Sequence, residues 1–117
     1  MDKKTNTRLT GMLGFAMRAG RLIIGTESVC VSMARQGKDK PRLVAIAHDA
    51  SQGTKKKLLT KAEFYGIETV IINIDSSELG RLLGKLYAPA TVAICDDRFA
   101  EEIKKANGPC DTDDVVN

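Results

Sequence analysis

Apolar residues in this chain recur with two periods, and the alternation between them lays out the elements. Leu9, Met12, Leu13, Ala16 and Met17 stand at i, i+3, i+4, i+7 and i+8, one face of a first helix capped near Asn6 or Thr7 and stopped at Ala19-Gly20. Leu22-Ile23-Ile24 is a short buried strand. A second helix is expected from Thr26 to Gln36, with Val29, Cys30 and Met33 inward and Gly37 as its stop. Residues 38–42 form a charged loop.

Leu43 to Ala47 is apolar at every position, which fits a strand covered on both faces. After His48-Asp49-Ala50-Ser51, a third helix spans Gln52 to Tyr65. Leu58, Ala62 and Tyr65 share its inner face, its lysines lie largely outside, and Gly66 closes it. Thr69 to Ile74 is the third strand. Asp75-Ser76-Ser77-Glu78 has the spacing of a capping box, opening a fourth helix lined by Leu79, Leu82, Leu83 and Leu86. Gly80 and Gly84 inside it each cost about 1 kcal/mol against Ala, so they imply either close approach of another backbone or local flexibility. Ala88-Pro89-Ala90 is a loop, Thr91 to Cys95 a fourth strand, and Asp96 or Asp97 caps a last helix with Phe99 and Ile103 inward.

Strands alternating with helices predict a three-layer α/β/α sandwich. A single domain over residues 1–106, followed by a disordered acidic tail at 107–117, accounts for the whole chain. At 117 residues, it can bury a core without metal or disulfide support.

Charge adds an asymmetry. The net charge is +3, yet all 18 basic residues precede position 106, whereas Asp111, Asp113 and Asp114 fall in the last seven residues. The remainder, 18 basic against 12 acidic residues, carries +6. Such a body suits a polyanion, and equally a solvated basic surface. Cys30, Cys95 and Cys110 are widely spaced beside a single His, which argues against zinc and disulfide frameworks alike. With no apolar signal core and no membrane-length apolar run, a reducing cytoplasm is expected, with no membrane partner.

Candidate chemistry is sparse. The dinucleotide-binding glycine pattern, the phosphate loop and the nucleophile elbow are all absent from the sequence. His48-Asp49 at a strand end is the nearest approach to a catalytic pair, although adjacent strand side chains point to opposite faces. Neither a catalytic residue nor a metal or cofactor site is assigned. Asp96-Asp97 reads as a helix cap. The helix opening after Gly25 leaves its first N–H groups uncovered, a setting that favours an anion, and Arg18 and Arg21 flank it in sequence. Lys55, Lys56, Lys57 and Lys61 either contact phosphate or form a solvated face.

Ala19-Gly20-Arg21-Leu22 running into Gly25-Thr26-Glu27, the strand Leu43 to Ala47 followed by Asp49-Ala50-Ser51, and Glu78-Leu79-Gly80-Arg81-Leu82-Leu83-Gly84-Lys85 before Val92-Ala93-Ile94 together resemble a known family. The chain is similar, over about Leu9 to Lys105, to the ribosomal protein L-seven-Ae/L-thirty-e superfamily of kink-turn RNA-binding proteins, and in segment order to its short bacterial YlxQ-type members. The resemblance implies an α/β/α sandwich around a small four-stranded mixed sheet that binds RNA without catalysis. RNA would be met by three loops: Gly25, Thr26, Glu27 and Ser28; His48, Asp49 and Ala50; and Leu86, Tyr87, Ala88 and the residues up to Ala90. Tyr87 would stack on an unpaired base, while Arg21, Lys38, Lys55, Lys56 and Lys85 would contact phosphate.

The family's best RNA binders follow the glycine with a small residue, Asn-Glu and, three residues on, Lys. Here Thr26, Glu27, Ser28 and Val31 occupy those positions. Three functions are therefore distinguished: an RNA-binding protein associated with the ribosome or translation proteins, a protein-interaction module of the same fold, and an enzyme acting at His48-Asp49.

Overall fold

The computed structural model describes residues 3–37 and 40–107, with side chains from Arg8 onward. Five helices and four strands alternate as α1 (Lys3–Arg18), β1 (Leu22–Ile24), α2 (Thr26–Ser32), β2 (Leu43–Ala47), α3 (Gln52–Tyr65), β3 (Glu68–Ile72), α4 (Ser76–Leu82), β4 (Thr91–Ile94) and α5 (Asp97–Asn107). The sheet order is β1-β4-β2-β3. Strand β4 runs antiparallel to both β1 and β2, while β2 and β3 are parallel. The sheet is therefore mixed, and the two most apolar strands, β2 and β4, are fully buried at its centre.

Alternation along β2 splits the core. Leu43 and Ala45 point to the side where Leu9, Leu13, Leu79, Ala100 and Ile103 bring α1, α4 and α5. Val44 and Ile46 meet Val29 of α2, Met33 just after it, and Leu58 and Ala62 of α3 on the other. Period two in the strand and period 3.6 in the helices thus produce the expected sandwich.

Three glycines stop helices by the same device. Gly20, Gly66 and Gly84 have φ of 73°, 70° and 71°, and after each the next N–H returns to a carbonyl one turn back: Arg21 to Ala16, Ile67 to Ala62 and Lys85 to Gly80. This is the Schellman arrangement, which requires a left-handed residue and so favours glycine. Gly84 thus ends α4 rather than lying inside it, and Leu86, expected on the inner face of that helix, is fully exposed. Gly80 is different. A Cβ there would collide with the Tyr87 carbonyl oxygen and crowd Pro89, so close approach of backbone explains it.

Other boundaries shift for local reasons. Helix α1 begins at Lys3, ahead of the expected caps, because extending an existing helix backwards costs little once it is nucleated. Helix α2 stops at Ser32, not Gln36: the buried Ser32 hydroxyl donates to the Val29 carbonyl at 2.7 Å, a local bond that competes with helix propagation. The third strand is Glu68–Ile72 and the fourth ends at Ile94. Asp96 caps α5, its Oδ1 accepting from the N–H groups of Arg98 and Phe99. Helix α5 runs through Asn107, whose side chain accepts from Asn73 N–H and donates to the Ile71 carbonyl, fastening the helix end to the exposed edge of β3. Lys38, Cys110 and the acidic stretch 108–117 lie outside the described residues.

Candidate nucleic-acid interface

The carboxyl ends of β1 and β2 and the start of β4 lie at one end of the sheet, and two consecutive carbonyls of the chain entering β4 hold them in register. The Ala90 carbonyl accepts from Ala47 N–H at 2.8 Å, and the Thr91 carbonyl from Gly25 N–H at 2.9 Å. The loop 86–90 therefore sits between the Gly25 turn and the His48-Asp49 turn. The three loops expected to share a surface do so, because β4 pairs on both sides.

Gly25 is the N-cap of α2 with φ 104° and ψ 141°, a backbone conformation that side chains disfavour. It offers no side-chain cap, so the first N–H groups of α2, which have no intrahelical partner, receive no bond from it at the positive end of the helix. Thr26 is steadied by a hydroxyl–hydroxyl bond of 3.0 Å to the fully buried Thr91. Glu27 and Ser28 are exposed. The Glu27 carboxylate lies 3.5 Å from Lys57 Nζ, which places a cation from α3 beside the acidic position.

The second loop is more structural than its sequence implies. Asp49 accepts from Ser76 N–H at 2.9 Å and from the Ser76 hydroxyl at 3.0 Å through its two carboxylate oxygens. These bonds, the backbone one first, hold its carboxyl below the usual 3.8. Asp49 thereby ties the turn after β2 to the start of α4, and it is committed to Ser76 rather than poised beside His48. Asp75 caps α4 by accepting from Glu78 N–H at 2.8 Å. The His48 carbonyl accepts from Lys55 Nζ at 2.9 Å, which brings Lys55 onto this end of the molecule.

In the third loop Leu86, Tyr87 and Ala88 are exposed while Pro89 is buried. The loop is pressed onto α4 where Gly80 lacks a side chain. Tyr87 keeps 56% of its surface in solvent, and Lys85 is exposed one residue past the helix stop. An apolar tip, an available ring and neighbouring cations can cover an unpaired base and its phosphates.

Two expected members are elsewhere. Arg21 precedes β1, at the end of the strand opposite Gly25, and its guanidinium donates to the Cys95 carbonyl. It does not flank the α2 entrance: the intervening strand, at about 3.3 Å per residue, separates the two. Lys56 lines the outer face of α3 together with Lys57 and Lys61. Sequence reasoning missed the buried Thr91 and the pairing of Lys57 with Glu27, both of which depend on contacts between distant segments.

A profile of the ribosomal protein L7Ae/L30e/S12e/Gadd45 family matches residues 7–104. The chain is 32% identical over 106 residues to an RNA-binding protein YlxQ of Enterococcus faecium, covering 90% of this chain and 96% of that one. It is 32% identical over 92 residues to the large ribosomal subunit protein eL30 of Sulfurisphaera tokodaii, covering 76% and 84%. Among solved structures, a 15.5 kD RNA-binding protein of Giardia lamblia superposes with a TM-score of 0.68 at 17% identity, over 96% of this chain and 92% of the other.

Proposed function

The chain belongs to the ribosomal protein L7Ae/L30e/S12e/Gadd45 family, a family of RNA-binding and ribosomal proteins rather than enzymes, and from that premise we propose that it binds structured RNA through the three-loop end. The observation that carries this reading is the registration of all three loops by the consecutive Ala90 and Thr91 carbonyls. These bonds bring together the segments that carry the α2 start, Lys55 and the Leu86–Ala88 tip, which supports their serving one ligand. In this reading the N–H groups after Gly25 take phosphate, Tyr87 stacks on an extruded base, and Lys55 and Lys85 neutralise the adjoining backbone. The ligand class is ribosomal or other structured RNA, in the cytoplasm, alongside ribosomal or translation proteins.

The departures at Glu27, Ser28 and Val31 leave the backbone features in place and remove side-chain donors, so the proposed binding depends more on phosphate and loop shape than on base identity. The test compares an RNA hairpin containing a kink-turn with a straight hairpin of equal length, across a salt series. Wild-type affinity is expected to fall steeply with salt, and the Lys55→Glu, Lys85→Glu double variant to lower the slope of log K against log salt by about 2. An unchanged slope would refute the assigned surface. A preference for the kink-turn hairpin would extend the family's specificity to this chain.

A protein-interaction module of the same fold is the second reading, favoured by the exposed Val31 and Leu86. A co-purifying protein with no affinity for either hairpin would decide for it.

A further inference from the structure

Resting on that RNA-binding reading, we propose a second contact, for single-stranded RNA, along the outer face of α3. Gly53, Lys56, Lys57, Thr60, Lys61 and Phe64 follow one another at spacings of three, one, three, one and three residues, a single helical stripe. Together with Tyr65 they line a shallow open hollow of about 640 Å³. Gly53 and Thr60 are small and leave floor between the longer lysines. The stripe is free of acids: Glu63 lies beside it, and Glu27 reaches it only through Lys57.

Phe64 lies at its far end with 80% of its surface exposed. The Phe64 and Tyr65 rings meet edge-on, their centroids 4.9 Å apart, which braces an aromatic ring that no core contact explains. Cations spaced along a groove that ends in an exposed ring match how strands are held without sequence preference: phosphates on lysines, a base on the ring. The occupant is a nucleic-acid strand because it supplies a base for the exposed Phe64 ring as well as phosphates for the lysines. The stripe also begins at the turn after β2, beside Lys55, so that a strand leaving the three-loop end would run about 16 Å down the helix to Phe64.

The chain contains no tryptophan, so Phe64→Trp in the full chain gives a single reporter at the site. Titration with a short oligouridylate is expected to quench it saturably. Phe64→Ala is expected to weaken oligouridylate binding by about 5- to 100-fold while leaving hairpin affinity unchanged. Lys61→Glu should reduce the salt dependence of oligouridylate binding. Equal oligouridylate affinity in wild type and Phe64→Ala overturns the proposal, as does hairpin binding with no oligouridylate binding; either leaves the three-loop reading intact. Failure to bind either RNA removes both. A tryptophan signal that responds to oligoglutamate and not to oligouridylate assigns the stripe to an acidic polypeptide and overturns the nucleic-acid strand.

Discussion

Changing two glycines in the same way should move stability in opposite directions. Gly11 lies on the exposed side of α1, and a Cβ there meets nothing within 4 Å. Gly80 lies inside α4, and a Cβ there would strike the Tyr87 carbonyl and crowd Pro89 at 3.1 Å. Alanine gains about 0.5–1 kcal/mol of helix preference at either position. At Gly11 nothing opposes that gain, so Gly11→Ala should stabilise by about that amount. At Gly80 the added carbon meets backbone, which cannot rotate away as a side-chain tip can, and overpacking of this kind costs about 1–3 kcal/mol. The net for Gly80→Ala is a loss of about 1–2 kcal/mol, placing the two variants about 2 kcal/mol apart. Urea unfolding monitored by circular dichroism would separate their midpoints by about 1 M at a slope of about 2 kcal/mol per M. Because relief at Gly80 requires the 86–90 loop to lift, the same variant should also lose hairpin affinity. Equal stabilisation by both substitutions would refute the argument that the loop rests on the α4 backbone.

Two further predictions follow from the polar contacts. Removing the Arg21 donor with Arg21→Met should cost about 1 kcal/mol of stability through the lost bond to Cys95, measured by thermal unfolding, while the salt slope of hairpin binding stays at its wild-type value. Asp49 has a folded pKa below 3.8, so its bonds to Ser76 add stability above that pH, and the contribution is lost as pH falls through the folded value. The stability gap between wild type and Asp49→Ala should therefore be present at neutral pH and close in acid, and a gap that persists in acid would show that the carboxylate is not its source.

Much of the molecule is legible in local signals, and the misreadings share a cause. Gly20 and Gly66 end their helices as their neighbours suggest, because a left-handed stop is a property of a few adjacent residues. Gly84 does the same but follows a run of leucines, and periodicity alone carried the helix past it to Leu86. The early end of α2 depends on where one hydroxyl points, and Ser32 has the same letter whether it bonds to Val29 or to water.

The sequence by itself determined the order of elements, the buried centre of the sheet at Leu43–Ala47, the Asp75 helix opening, and the glycine that leaves α2 uncapped, since each is a matter of residues within a turn or two. Only the tertiary structure decided which charges face which end. Arg21 stands four residues from Gly25 and is carried to the opposite end of the strand, whereas Lys57, on a different helix, comes to stand beside Glu27. Both Asp49 oxygens accept from Ser76, a contact between the turn after β2 and the start of α4. Strand pairing sets these distances. It is a long-range choice, made by which apolar faces can be buried together, and no single segment contains it.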